Sequence, residues 1–324
     1  MSQGVLNKRI FFLVNPAAGG GRSLDWWQRQ LPSLDRLGLD YFWEQSRPQD
    51  GGLAQVRAAV LERGAQVVLA VGGDGTAYAA VNGLVEKDRL IAADVIFGLC
   101  PAGTACDFCR QAYGADYVGQ EDALLHLIRH GQVRSIDLGR CDHVDRQGRA
   151  ATHYYINSFD AGAGADVCLA VNAEGGRIKR ALRNGRLAFL LTALKVLWRF
   201  SYTPTLVDTE KGGYNGEYII IGAANGGYSG GGMQLCPRAS LTDGLLDLLL
   251  VEKRSRAAIF KCFPLIYRGR HLSQPGVRYM QTREIAIAPA QPMAIELDGE
   301  VPGLTPARIR VLPGILPLLL PEDD

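Results

Sequence analysis

The densest chemical signal in the chain is Val71-Gly72-Gly73-Asp74-Gly75-Thr76, which ends an unbroken apolar run and opens a stretch of helical spacing. Glycines at such a junction let the backbone approach a phosphate closely, and the helix behind them offers unpaired N–H groups and about half a positive charge. A nucleotide phosphate is the expected occupant, against the plainer reading of an Asp-Gly turn. Pro101-Ala102-Gly103-Thr104 repeats the arrangement after Gly98-Leu99-Cys100, and Thr104 offers a hydroxyl to a nucleotide. Asn15-Pro16-Ala17-Ala18-Gly19-Gly20-Gly21-Arg22 forms a third such loop but lacks the Gly-Lys-Ser/Thr ending of a P-loop. No G-x-G-x-x-G with a suitably placed acid occurs, which disfavours a Rossmann dehydrogenase. Near the other end, Asp298 and Glu300 alternate across Gly299, so in a strand both carboxylates point to one side. One can then act as a base while the other holds it or a metal-bound water. A solvated Asp-Gly turn is the plainer alternative.

The elements that must position these residues fall into two textures. Arg9–Val14, Leu39–Glu44, Val67–Val71 and Val95–Leu99 read as strands, alternating with helical spacing over Leu24–Leu37, Leu53–Arg63 and Ala77–Glu86. Val67–Val71 is apolar at consecutive positions, as expected of a central strand covered on both faces, and ligands collect at the carboxyl ends of such strands. From Ser135 onward short β-rich runs dominate: Ser135–Cys141, Thr152–Ser158, Pro204–Asp208, Glu217–Ala223, Leu245–Val251, Glu284–Ala288 and Met293–Leu297. Glu174–Phe200 interrupts them with helical spacing. The expected domains are 1–134, an α/β nucleotide-binding domain, and 135–314, a mostly β sandwich with a helical insertion over 174–200. Residues 315–324 are a C-terminal segment that returns to the first domain.

Composition narrows the classes further. In 324 residues, 47% apolar and 21% charged, neither disorder nor a coiled coil fits the whole chain, and a formal charge of +2 makes nucleic acid a poor default partner. The apolar run after Lys8-Arg9 is too short for an export signal, and no run approaches the roughly 18 apolar residues that span a bilayer. Seven cysteines in such a chain read as reduced, buried thiols, and the expected location is cytoplasmic.

The Asn15-Pro16 loop, Gly72–Thr76 and Pro101–Thr104, in this order, resemble the diacylglycerol kinase catalytic domain. Downstream, Ala223-Ala224-Asn225-Gly226, Gly231–Pro237, Thr242-Asp243-Gly244-Leu245-Leu246-Asp247 and Leu297-Asp298-Gly299-Glu300 resemble the bacterial lipid kinases of the YegS type. The resemblance covers nearly the whole chain. It implies a three-layer α/β domain like those of phosphofructokinases and NAD kinases, then a β-sandwich that holds the lipid, with the cleft between them. It also implies an ATP- and Mg²⁺-dependent kinase acting on a hydroxyl of diacylglycerol or a related lipid. ATP contacts are implied at Asn15, Gln45, Gly72, Gly73, Asp74, Gly75, Thr76, Ala77, Tyr78 and Thr104. The implied metal position is Asp243 with the carbonyls of Ser240 and Leu245, an oxygen set that suits Mg²⁺. The implied catalytic residues are Glu300, Asp298 and Asp74. Two rivals remain at this point: an NAD kinase-like small-molecule kinase, and a nucleotide-binding regulatory pseudokinase. The latter is encouraged by Tyr78-Ala79, where relatives commonly have Asn-Glu, and Cys106 is a further departure. The resemblance allows a homodimer, for which no residue argues.

Other patterns are plainer. Cys106-x-x-Cys109 has no second pair, His126 and His130 stand four apart without a third ligand, and Trp26, Trp27 and Trp43 read as packing residues. The insertion 174–200 carries seven basic residues against Glu174 alone, beside Leu187, Leu190, Leu191 and Leu194. That combination suits peripheral contact with an anionic membrane, and equally a helix docked on the sandwich with solvated arginines.

Overall fold

The computed structural model describes residues 5–102, 106–114, 117, 122–173 and 185–322, and for 172–173 and 185–190 the backbone alone. The chain forms two compact units, one of Met1–Leu138, Leu241–Asp243 and Leu312–Asp324, the other of Gly139–Ser240 and Gly244–Val311. The divisions expected after 134 and 314 thus fall after 138 and 311, and the loop segment containing Asp243 groups with the first unit.

In the first unit β1 (Ile10–Val14), β2 (Tyr41–Gln45) and β3 (Val67–Gly72) are followed by a small hairpin of β4 (Val85–Glu86) and β5 (Arg89–Leu90), then by β6 (Ile96–Pro101). The main strands are parallel in the order β2-β1-β3-β6, and Leu318 of the last strand pairs in parallel with Phe97. Every residue of β1 and β3 is buried, which explains their unbroken apolar sequence: both faces need covering. After the glycine-broken turn α1 (Ala18–Gly21), α2 (Ser23–Arg36) lays Trp27 and Leu34 against Phe12, Val14, Leu69 and Val71. The other face carries α3 (Leu53–Leu61), preceded by Gly52 over Leu13, and α4 (Asp74–Leu84), whose Gly83 admits Val56 of α3. The Trp27 ring lies 4.7 Å from that of Phe12, tilted, and 5.8 Å from that of Trp43, edge-on; Trp27 is core and the half-buried Trp43 packs against it, as expected of packing residues. The short α5 (Asp107–Ala112) and α6 (Ala123–His130) complete the unit, with Leu124, Leu127 and Ile128 of α6 in the same core as Trp27.

In the second unit, entered along β7 (Gln132–Asp145), the strands are antiparallel. β8 (Ala150–Tyr155) and β9 (Ser158–Gly162) stand where one strand over Thr152–Ser158 is expected. The break at Ile156-Asn157 arises because the amides there turn away to the Asp298 carboxylate. β10 (Pro204–Thr209) pairs with the first half of β11 (Gly212–Ala224), while the second half of β11 pairs with β9. The register shifts at Tyr218/Ile220, and a bulge of this kind lets one strand serve two layers of a sandwich. β12 (Leu246–Glu252), β13 (Val277–Thr282), β14 (Glu284–Pro289), β15 (Ala294–Leu297) and β16 (Glu300–Leu320) finish the unit, β16 passing to the first unit after Val311. Of the helical insertion expected over 174–200 the structure describes a helix over Gly185–Arg199, and α7 (Ala163–Ala173) precedes it; Arg177, Lys179, Arg180 and Arg183 lie outside the described residues. A further helix, Arg256–Ile266, has no counterpart in the expectation above. Among the described residues no helix is long and apolar enough to cross a membrane.

Candidate active site

The glycine loop joins the buried strand β3 to α4, with Gly73 as the extended residue before the helix. The amides of Thr76 and Ala77 return to the Gly73 carbonyl at 3.0 and 3.1 Å, so the first turn of the helix is tightly closed. Gly72 is required for contact: a Cβ there would stand 2.2 Å from the Thr76 hydroxyl oxygen. Asn15 donates from its side chain to that same hydroxyl at 3.0 Å and accepts from the Ala17 amide, while the Ser23 hydroxyl donates to the Asn15 carbonyl. Asn15 and Thr76 therefore fasten the loop after β1 to the loop after β3. Asp74 reaches the next strand end: its carboxylate accepts from the Asp107 and Phe108 amides at 3.0 Å each and from the Cys106 thiol at 3.5 Å. Burial pushes the Asp74 carboxyl up, against the lowering effect of those donors. The ends of β1 and β3 and the start of α5 are thus tied by three polar side chains, Asn15, Thr76 and Asp74, and the carboxylate assigned to catalysis is also the N-terminal clamp of α5.

The remaining expected nucleotide residues divide. Gln45 ends β2 with its side chain exposed. Ala77 is fully buried, so its side chain belongs to the core and only its backbone can serve a ligand. Thr104 lies outside the described residues. The departure at Ala79 has a packing reason: it is buried, and a Cβ on Gly51 would lie 3.0 Å from its own. Cys106 caps α5, its sulfur accepting from the Cys109 amide at 3.2 Å, and burial raises both thiols above the ordinary cysteine range. That is the opposite of a reactive redox pair.

In the second unit Asp298 and Gly299 are the two residues of the β15–β16 turn, with φ of 51° and 89°, and Leu297 faces Glu300 across it. The expected strand alternation therefore does not apply, because both turn residues adopt the left-handed conformation of a two-residue hairpin. The Asp298 carboxylate is buried and accepts from the amides of Ile156, Asn157 and Ser158 at 2.8, 2.9 and 2.9 Å. It is an anchor for the β8–β9 corner, which positions the turn. Asn157 extends the anchor by donating to the Tyr228 carbonyl at 2.7 Å, and Asn225 donates to the Ile156 carbonyl at 2.9 Å. Glu300 is different: it keeps an exposed face, while neighbouring groups desolvate its carboxyl and raise it above the usual range.

Two buried acids behind this turn are not marked by any motif. Asp160 on β9 faces Glu296 on β15 and accepts from the Ala165 amide at 3.2 Å; burial, with Asp166 adding repulsion, raises it to about 7. Glu296 accepts from the Gly299 amide, and the Cys168 thiol of α7 is pushed up by burial and by Glu296, Asp160 and Glu300 together. The one signal in the sequence is a lone acid in the run Ser158-Phe159-Asp160-Ala161-Gly162. Ser240, Asp243 and Leu245 lie in the segment before β12, which turns at Gly244 with φ of 70°; Asp243 is exposed, while Ser240 and Leu245 are half-buried. Among the described residues no three His, Cys, Asp or Glu side chains cluster to hold a metal. The Asp243 set needs no such cluster, since one carboxylate and two carbonyls are an all-oxygen donor set, compatible with a hard cation that keeps its waters.

A parallel α/β unit with a glycine-rich phosphate loop at its strand ends, followed by an antiparallel sandwich, defines a two-domain kinase fold of the diacylglycerol kinase and NAD kinase kind. Residues 9–141 match the diacylglycerol kinase catalytic domain, and residues 158–320 match the YegS C-terminal NAD kinase beta sandwich-like domain. The chain belongs to the family of YegS-like lipid kinases. It is 31% identical over 281 residues to a "Probable lipid kinase YegS-like" of Xanthomonas euvesicatoria pv. vesicatoria, covering 84% of this chain and 86% of that one. It is 27% identical over 320 residues to a diacylglycerol kinase of Bacillus subtilis, covering 98% and 97%. In fold it is similar to a diacylglycerol kinase of Bacillus anthracis str. Sterne, with a TM-score of 0.67 at 17% identity over 96% of each chain.

Proposed function

We propose that the protein is an ATP-dependent lipid kinase that transfers the γ-phosphate to a hydroxyl of diacylglycerol or a related lipid. The observation that carries this reading is the lock between Asn15, Thr76, Asp74 and the start of α5, which ties the loops after β1 and β3 to each other and to that helix. Phosphoryl transfer asks little covalent chemistry of a protein; it needs a held phosphate chain, neutralised charge and a group to take the acceptor proton. In this reading the turn Gly73–Gly75 presents its backbone to the phosphates, the Thr76 and Ala77 amides being tied to the Gly73 carbonyl, and Asn15 keeps the loop closed. Glu300, with an exposed face and a raised carboxyl, takes the hydroxyl proton. Asp298 positions the turn that carries Glu300. Mg²⁺, which would neutralise phosphate charge when bound, would be held by Asp243 with the Ser240 and Leu245 carbonyls. Incubation with γ-labelled ATP and a total lipid extract tests the proposal: label in a neutral lipid converted to its phosphate supports it. Transfer to a soluble dinucleotide instead, or ATP binding without transfer, would replace it.

A further inference from the structure

Away from the residues assigned to nucleotide and hydroxyl, the second unit has a hollow of about 460 Å³ where the helix Gly185–Arg199 ends and the helix Arg256–Ile266 begins. Its lining combines Leu197, Phe200 and Tyr202 with Lys253, Arg254 and Arg256, against the single acid Glu217. Two of the cations lie over aromatic rings. Arg256 lies 5.0 Å from the Trp198 centroid and Lys253 lies 5.1 Å from that of Tyr202 while also pairing with Glu217 at 2.8 Å. Arg254 is held through the Pro275 carbonyl. Ser255 caps the helix, its hydroxyl accepting from the Ala258 amide, so a helix N-terminus adds to the positive field.

The surroundings point to an interface. The helix Arg256–Ile266 has only Arg256 and Lys261 charged, yet none of its eleven residues is buried. Phe260 meets Trp198 at 5.9 Å, and Trp198 itself remains 56% exposed. Leu191 stands two turns before Trp198 on the same helix face and is 49% exposed. Exposed aromatic and aliphatic groups next to a net positive hollow complement an anionic bilayer, where the indole sits at headgroup level and basic side chains gain from negative lipid.

We propose that this hollow binds the phosphate group of an anionic phospholipid, and that through it the second unit docks on anionic bilayers with Trp198 and the helix Arg256–Ile266 in the interfacial layer. A soluble phosphate compound could satisfy the cations but would leave the adjoining apolar face in water, which is why a bilayer is the assigned partner. Docking does not depend on the identity of the phosphoryl acceptor, and it is measured without ATP or acceptor present.

The full chain is sedimented with vesicles of phosphatidylcholine alone and of phosphatidylcholine mixed with phosphatidylglycerol. Binding should require the anionic lipid and weaken as salt rises. The double variant Lys253→Gln/Arg256→Gln should bind the mixed vesicles roughly tenfold or more less tightly, and Trp198→Ala should also weaken binding. Both should keep the wild-type melting temperature and turnover on a detergent-dispersed acceptor. Equal binding to both vesicle types, or salt-independent binding by the wild type, would overturn the proposal even if the variants misfold. So would undiminished binding by a folded double variant. Tight saturation by inorganic phosphate that blocks vesicle binding would make the hollow a soluble-ligand site instead.

Discussion

Gly72 shows how one residue's size can govern the nucleotide loop. A methyl group there would stand 2.2 Å from the Thr76 oxygen and 2.8 Å from its Cβ, neither of which can retreat, because Thr76 belongs to a closed helical turn and is hydrogen-bonded by Asn15. Gly72→Ala should therefore break the Asn15–Thr76 lock. Nucleotide affinity, read by calorimetry, should fall by at least about tenfold, and stability by roughly 1 to 3 kcal/mol, as for other overpacked sites. Asp298 makes the complementary point. Asp298→Asn keeps the shape but turns an NH₂ donor toward amides that need an acceptor, so a loss of about 2 to 3 kcal/mol is expected in a denaturant titration. A variant with unchanged stability but no turnover would return Asp298 to a direct catalytic role.

At the scale of elements, the acid-lined end of the sandwich should govern the pH dependence of stability. Asp160 is raised from an ordinary 3.8 to about 7, chiefly by burial. A carboxyl raised on folding favours the folded state below its unfolded pKa, and that contribution is lost as pH climbs through the folded value. The wild type should therefore lose stability between about pH 4 and pH 7, by on the order of 4 kcal/mol for a shift of this size. Asp160→Asn should flatten that part of the curve. Urea denaturation of both proteins at the two ends of the window checks it, and parallel curves would show that another group titrates there.

Across the whole molecule the two tasks fall to different units, since the nucleotide loops belong to the first and Glu300 to the second. Glu300→Gln should lower turnover by roughly 10² to 10⁴ while leaving ATP affinity nearly unchanged. Because the Glu300 carboxyl is raised and must be ionised to accept a proton, wild-type turnover should rise with pH through an apparent pKa above that of an ordinary glutamate. A Gln variant that loses ATP binding along with turnover would place Glu300 on the nucleotide, and an unchanged pH–rate profile would assign the limb to another group.

Patterns that depend on neighbours along the chain are legible in the amino-acid sequence itself. The apolar run of β3, the glycines at its end and the alternation of strands with helices define a parallel sheet and its phosphate loop. This is because backbone periodicity and burial on two faces act within a few residues. The order of the glycine and Asp-Gly landmarks carries the kinship with lipid kinases. What the chain alone misjudges is long-range. Asp298 resembles a strand carboxylate beside Glu300, and only its bonds to amides about 140 residues away in sequence make it an anchor. The same bonds split the expected strand at Ile156. Asp160 is unremarkable until Glu296 and α7 close around it, and the helix Arg256–Ile266 is hidden because its half-buried apolar residues, with only Arg256 and Lys261 charged, leave no polar face to mark a period. Desolvation and hydrogen bonding depend on what surrounds a group in space, so pKa and role at these positions are decided by tertiary structure.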